Sequence, residues 1–276
     1  MPPLAQHVMA TSDTLFTGSI PATYDRYLGP LLFEPFARDL AQRVAALEPR
    51  RILETAAGTG IVTAAIHYQL PDAEIVATDL NPDMLEVAAA KADAPNIILR
   101  KADAQQLPFP DASFDVVVCQ FGVMFFPDRV GAYREARRVL RTNGRFLFNV
   151  WNSLDRNPVS GRIADLLVDL FPDDPPEFLA RTPFGYHDLA RIEADLRAAG
   201  FSDVTAETVT KSSHAPSARH AAIGICQGSP MHAEIMARAP GRLEEITEAA
   251  AEALAEFGGE DGIEAPMSAH VVSAGG

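Results

Sequence analysis

Between Tyr24 and Leu47, apolar side chains recur at helical spacing: Leu28, Leu31, Leu32, Phe36, Leu40, Val44 and Leu47. Pro30 and Pro35 interrupt the series, because a proline lacks the N–H donor and its ring crowds the preceding turn. The pattern therefore predicts a broken helical lead-in that ends before Pro49. The rhythm then changes. A short apolar run in RRILETAAGTG reads as a strand entering a glycine-bearing turn, followed by a helix from about Ile61 to Gln69. EIVATDL is a second strand, NPDMLEVAAAKA a helix with Pro82 in its first turn, and NIILRKAD a third strand. FDVVVCQFGV, apolar on both faces, reads as a central parallel strand. The helix YREARRVL, closed by Asn143-Gly144, leads to a fifth strand, GRFLFNVW.

This alternation of strand and helix, at intervals of roughly 25 residues, predicts an α/β fold with an open, mostly parallel, Rossmann-like sheet and helices on both faces. The segment from Asn152 to Gly185 breaks the pattern, with Pro158, Pro172, Pro175, Pro176 and Pro183 around one amphipathic helix, Val159 to Phe171. The helix DLARIEADLRAAG and the strand FSDVTAETVTK follow it. Ala/Glu-rich helical sequence fills Pro216 to Gly259, and APMSAHVVSA is the last of seven strands. The chain thus divides into a helical lead-in or lid (1–48) and one core domain (49–276) with cap insertions at about 152–185 and 216–259. The second insertion, with Ile235, Leu243, Ile246 and Leu254 at helical spacing, is expected to pack on the core as a cap; a dimerisation element is the alternative.

The formal net charge is −14, with no Lys/Arg run longer than a pair, so nucleic acid and anionic membrane surfaces are poor partners and a small molecule is favoured. Cys119 and Cys226 have no metal-type or CxxC spacing and read as inert, buried thiols, which leaves neither a metal site nor a disulfide framework. The N-terminal residues MPPLAQHVMATSDTLF lack the basic start and apolar stretch of a signal peptide, and no apolar run reaches the ~20 residues of a membrane helix. A cytoplasmic protein is expected.

Chemistry concentrates at Leu53-Glu54-Thr55-Ala56-Ala57-Gly58-Thr59-Gly60, where a strand turns into a helix. Small residues there let a ligand approach the backbone, and the helix N-terminus offers free N–H groups. Asp79 ends the second strand, where a carboxylate can accept hydrogen bonds from both hydroxyls of a ribose. The ligand is therefore a nucleoside-containing cofactor. A dinucleotide would bring its pyrophosphate against the carboxylate of Glu54, and the third glycine of its fingerprint is Thr63 here. S-adenosylmethionine instead brings a sulfonium and an ammonium, for which Glu54 is a favourable neighbour.

On these residues the chain resembles the class I S-adenosylmethionine-dependent methyltransferases, and within them the ubiquinone/menaquinone-biosynthesis C-methyltransferase branch. Glu54 to Gly60 is similar to that branch's Glu-x-Gly-x-Gly-x-Gly, with Ala56 at the first glycine. Asp79-Leu80-Asn81-Pro82-Asp83-Met84-Leu85 matches the ribose motif and Ala102 to Phe109 the adenine-side motif. Phe114-Asp115 through Gln120-Phe121-Gly122 matches the strand beneath the methionine moiety, and Arg138 to Arg145 the signature near the core's end. The resemblance implies a last strand running antiparallel between the fifth and sixth. It also implies S-adenosylmethionine as donor and S-adenosylhomocysteine as product.

By the same resemblance Glu54 holds the methionine ammonium, while Ala56, Gly58 and Gly60 give backbone access. Asp79 binds the ribose, Leu80 and Met84 flank the adenine, and Asp103 and the Ala104 N–H meet its amino group and a ring nitrogen. Gln120 and Phe121 form the floor, and Tyr24, with Tyr27, covers the cofactor. The strand end Gln120-Phe121-Gly122-Val123-Met124 departs from the Asn/Asp-Pro-Pro-Tyr/Phe of base-amino methylating enzymes, which points to carbon or oxygen of a small, partly apolar acceptor.

No catalytic residue is assigned. In-line methyl transfer needs alignment more than a base, and none of the seven histidines stands out. Phe125, Phe126, Trp151, Phe171, Phe178 and Phe184 lie in or near the cap segments and read mostly as core. The competing readings are an NAD-dependent oxidoreductase and a non-catalytic S-adenosylmethionine-binding protein.

Overall fold

The computed structural model describes Asp13 and residues 16–276. The remainder of the expected lead-in, with the reading of the N-terminus as carrying no signal peptide, lies outside the described residues. The lead-in begins with α1 (Ile20–Thr23), continues as a π-helix over Tyr24–Phe33 and ends in α2 (Glu34–Ala45). The prolines expected to break it reshape it instead. Pro30 lies inside the wide π turns, whose last N–H, that of Glu34, bonds back to the Gly29 carbonyl; Pro35 then occupies the first turn of α2, where no donor is needed.

The core alternates as the pattern requires: β1 (Arg51–Thr55), α3 (Ile61–Gln69), β2 (Glu74–Asp79), α4 (Pro82–Ala89), β3 (Ile97–Lys101), β4 (Phe114–Gln120), α5 (Arg129–Val139) and β5 (Leu140–Trp151). Then come α6 (Pro158–Leu170), α7 (Phe178–Arg181), α8 (Leu189–Ala198), β6 (Asp203–Ala215), α9 (Ala218–Gln227), α10 (Met231–Arg238), α11 (Leu243–Leu254), β7 (Gly258–Gly259) and β8 (Gly262–Gly275). The sheet order is β3-β2-β1-β4-β5-β8-β6. Only β8 runs against its neighbours along this path, lying antiparallel between β5 and β6 as the resemblance implied. The order reverses between β1 and β4, so the crevice outside their carboxyl ends is where an open α/β sheet receives a ligand.

Two boundaries depart from the expected pattern. Asn143-Gly144 does not close α5, which ends at Val139; β5 begins at once and bulges, with Leu140 opposite Phe114 and Arg145 opposite Val116. Asn143 takes up the extra length at φ 67°, a conformation that asparagine tolerates. The eighth strand, β7, is a two-residue return onto β8, turned by Gly262 at φ 113°.

Helix α2 and α3 cover one face of the sheet through Leu40, Val44, Ile66, Ile52, Val116 and Val118. The other face buries Phe114, Val117, Tyr133, Phe146, Phe148, Ile163 and Leu196. The 216–259 insertion joins this second core through Ile225, Ile235, Ile246 and Leu254. Its α9 lies so close to the π-helix that a Cβ on Gly224 would stand 2.9 Å from a methyl of Leu28. Both cysteines are buried free thiols; burial pushes Cys119 and Cys226 up to about 12.

Candidate functional site: a glycine turn beside an aromatic cavity

β1 is almost wholly buried and delivers Glu54 to the crevice at 2% exposure. The turn that follows is held left-handed, with Ala56 at φ 52°, Gly58 at 55° and Gly60 at 77°. Gly60 caps α3, and a Cβ there would meet Ala88 of α4 at 3.0 Å, so a side chain would force the two helices apart. Ala56, where the motif has glycine, pays the left-handed strain, and Gly122 opposite has no side chain because its Cβ would stand 2.6 Å from that of Ala56.

Asp79 does more than the sequence suggested. Its Oδ2 accepts the Gly58 N–H at 2.8 Å and its Oδ1 the Asn81 N–H at 2.8 Å, so the carboxylate braces the glycine turn from the next strand. Burial raises its affinity for a proton and these backbone donors oppose that. The Ala102 N–H bonds to the Asp79 carbonyl at 3.0 Å, which brings the end of β3 and the Asp103–Gln106 turn alongside. Asp103 receives the Gln105 N–H at 2.8 Å. Leu80 is 56% exposed, while Met84 in α4 is buried. Ala104 is half-buried in the Asp103 turn.

Glu54 receives the Thr63 hydroxyl at 2.5 Å. Burial pushes its carboxyl up to about 8, with Thr63 opposing and the Asp79 charge adding. Such a carboxylate gains from a cation and is penalised by a phosphate, so the residues fit the ammonium-bearing methyl donor and not a dinucleotide. The sixth position of the dinucleotide fingerprint is thus a threonine that serves Glu54.

At the end of β4 the Gln120 amide donates to the Phe33 carbonyl at 3.3 Å and accepts from Asn149 at 3.4 Å. Phe121, at φ 50°, stacks on Trp151 with centroids 3.9 Å apart and planes 5° from parallel. Tyr24 stacks on Phe33 at 4.8 Å, and its buried phenol is raised by desolvation and by the nearby charges of Asp79 and Asp25. Glu54, the glycine turn, Asp79, Leu80, the Asp103 turn, Gln120 and Phe121 thus lie at the carboxyl ends of β1 to β4 or in the turns that follow them, with Tyr24 of the lead-in near Asp79. Tyr27 does not join them; it packs on the His220 ring at 4.5 Å.

Beyond Tyr24 and Phe121 lies a cavity of about 80 Å³. The lead-in contributes Phe16, Tyr24, Leu28, Leu32 and Phe33; the 152–185 segment gives Ser160, Phe178, Leu179, Pro183 and Phe184; α9 and its end give Ile225 and Ser229. Phe125 and Trp151 complete the wall. Four of the six aromatics read as ordinary core thus line the cavity, while Phe126 and Phe171 do not. Among the described residues the lining holds no charged side chain and no histidine, and the Ser229 hydroxyl donates to the Ile225 carbonyl at 2.8 Å.

Two residues escaped the sequence reading. Asn81 caps α4 through the Asp83 N–H (2.9 Å) and donates to the Phe16 carbonyl at 2.5 Å. An Asn-Pro-Asp start is a recognisable capping signal, but its second bond is tertiary. Lys91 bonds to the Thr59 carbonyl at 3.0 Å and pairs with Asp25, tying the glycine turn to the lead-in; nothing local in the sequence marks it.

The fold and crevice define a nucleoside-cofactor site on a Rossmann-like sheet, and comparison with known proteins supplies the family. Residues 53–148 match the "Methyltransferase domain" family. The demethylmenaquinone methyltransferase of Deinococcus radiodurans is 41% identical over 112 residues, covering 40% of this chain and 46% of that protein. The ubiquinone/menaquinone biosynthesis C-methyltransferase UbiE of Ectopseudomonas mendocina is 33% identical over 175 residues, covering 58% of this chain and 68% of that one. The chain spans about half the length of several curated relatives it matches. Among solved structures, the YcgJ protein of Bacillus subtilis aligns with a TM-score of 0.56 at 21% identity, covering 85% and 96% of the two chains. The chain belongs to the class I S-adenosylmethionine-dependent methyltransferases.

Proposed function

We propose that the protein transfers a methyl group from S-adenosylmethionine to a carbon or oxygen of a small, partly apolar molecule, with a quinol ring as the specific acceptor class. The observation that carries this reading is the aromatic cavity against the Tyr24–Phe121 end of the glycine turn. Relatives named for demethylmenaquinone and ubiquinone/menaquinone methylation support the quinol. The cavity also argues against a protein that kept a donor site and lost its acceptor pocket.

When bound, S-adenosylmethionine supplies an electrophilic methyl on a sulfonium. Glu54, ionised beside the ammonium, would hold the methionine end, with Ala56, Gly58 and Gly60 leaving the backbone accessible. Asp79, already accepting backbone N–H groups of Gly58, Asn81 and Leu80, would accept the ribose hydroxyls with the lone-pair capacity that remains. Leu80 and Met84 would flank the adenine, and Asp103 with the Ala104 N–H would read its edge. Gln120 and Phe121 would form the floor and Tyr24 the cover.

The lead-in and the two insertions would act as caps that exclude water and hold the acceptor in line. Among the described lining residues the one ionisable side chain is the Tyr24 phenol, whose proton burial holds in place, so the acceptor must be a nucleophile that needs no strong base, as an electron-rich ring carbon or a phenolic oxygen of a quinol is.

Calorimetry with S-adenosylhomocysteine and NAD, followed by a labelled-methyl screen of quinols, phenols, carboxylates and amines, tests the reading. Binding of S-adenosylhomocysteine alone and label on a quinol or phenol are expected. Label only on amines or carboxylates would overturn it.

A further inference from the structure

Phe16 forms cavity wall where the lead-in crosses it, its ring edge-on to Tyr24 at 5.8 Å and to Phe125 at 6.1 Å. Its carbonyl is held by Asn81, next to the ribose acceptor Asp79. Three residues earlier, Asp13 is fully buried and takes two bonds from Arg181: Nε to Oδ2 at 3.0 Å and Nη2 to Oδ1 at 2.6 Å. The Thr182 hydroxyl adds a third at 2.6 Å.

Arg181 is itself gripped from the other side. Its Nη2 donates to Glu234 Oε1 at 2.5 Å, and Glu234 Oε2 accepts the N–H groups of Glu177 and Phe178 at 2.8 and 3.3 Å. Arg238 stands 3.9 Å from that oxygen. Lead-in, α7 and α10 therefore meet on one guanidinium whose side chain is 12% exposed. A planar fork desolvated between two carboxylates is fixed in orientation, because moving any member leaves a buried charge unpaired. Most other ion pairs of the chain have at least one partner well exposed and impose no such constraint.

We propose that Arg181 is a positioning residue for methyl transfer: by gripping Asp13 while held by Glu234, it keeps Phe16 across the shared wall of donor site and acceptor cavity, so that loosening the grip speeds loss of the bound donor product. The proposal rests on the methyl-donor reading above. It assigns a role to Asp13, Arg181 and Glu234, which are absent from the described lining of the cavity.

The test is the rate at which S-adenosylhomocysteine leaves the full chain, followed by emission of Trp151, the single tryptophan, which lines the cavity. Arg181→Lys keeps the charge and loses the fork; Asp13→Asn keeps the shape and loses the charge. Each is expected to speed release about tenfold, and the double variant no further than either alone. Asp39→Asn, which removes a part-buried partner of Arg43 and Lys211 on α2, is the control and should lower thermal stability without changing release. The proposal is overturned if both folded variants release the ligand within about twofold of the unaltered rate, or if the control accelerates it equally. If the unaltered chain binds no S-adenosylhomocysteine by calorimetry, the donor-site reading fails and takes the proposal with it. If the ligand binds and the rates match, only the role of Arg181 fails.

Discussion

The two halves of the site are built on opposite principles. The proposed donor half, at the ends of β1 to β4, presents backbone and a few carboxylates: Asp79 braces Gly58 and Asn81, and Glu54, its carboxyl pushed up to about 8 by burial, sits behind Thr63. The proposed acceptor half is apolar and rich in rings, among them Phe16, Tyr24, Phe33, Phe121, Trp151 and Phe184, drawn from the lead-in, two strand ends and one insertion. On the proposed reading, a constant ligand would be met by local, polar geometry on rigid strands, and a variable one by apolar surface on added segments.

The comparison breaks most visibly if the halves can be damaged separately. Ile225 lies on the α9 wall, away from the glycine turn, so Ile225→Trp should fill the cavity and lower methyl transfer about 100-fold or more, by displacing the acceptor from its aligned position. S-adenosylhomocysteine affinity, measured by calorimetry, should stay within about threefold. Equal losses of both would mean that the compartments are one.

On the donor side, Asp79→Ala removes charged acceptors worth about 1.5–3 kcal/mol each, so S-adenosylhomocysteine should bind about 10- to 100-fold more weakly or worse. Because Asp79 also braces the turn, Asp79→Asn should retain more thermal stability than Asp79→Ala. A dissociation constant unchanged in both would remove Asp79 from the site.

Glu54 sharpens the contrast through pH. Its folded-state carboxyl titrates at about 8 against an ordinary 4.5, so the free protein binds an extra proton relative to the unfolded chain. The stability this group contributes is full below pH 4.5 and is lost as pH rises through 8. Binding an ammonium favours the ionised form, so S-adenosylhomocysteine binding should release a proton near pH 6.5 and tighten by up to about tenfold per pH unit toward pH 8. Calorimetry in buffers of different ionisation enthalpy reads the proton directly, and Glu54→Gln should abolish its release. The smallest effect is at Ala56, where Ala56→Gly relieves left-handed strain; melting should rise by about 1–3 °C, set against the greater freedom of an unfolded glycine.

The same division explains what was legible in the sequence. Glu54 and Asp79 end strands whose apolar runs are plain, and Gly58 and Gly60 follow the first of them, so local pattern carried their position. Phe178 and Phe184 read as core because their apolar side chains are indeed buried; only packing reveals that they face an empty volume. The Asp13–Arg181 pair joins residues 168 positions apart, and no periodicity connects them. Pro30 carried a local signal with two outcomes, a broken helix or a widened one, and the close packing of α9 on the π-helix accompanies the second. Asn143-Gly144 likewise suits a helix stop or a bulge, and the pairing of β5 with β4 selects the bulge.

Trp151 stands where the two halves meet, stacked on Phe121 and lining the cavity, so its emission tests their separateness most directly. The decisive measurement is titration of a neutral naphthol into the chain, with and without saturating S-adenosylhomocysteine. Two neighbouring compartments predict saturable quenching of Trp151 in both cases, with the naphthol bound at least as tightly when S-adenosylhomocysteine is present. Emission that does not respond to the naphthol, or a naphthol that displaces S-adenosylhomocysteine, would contradict the account.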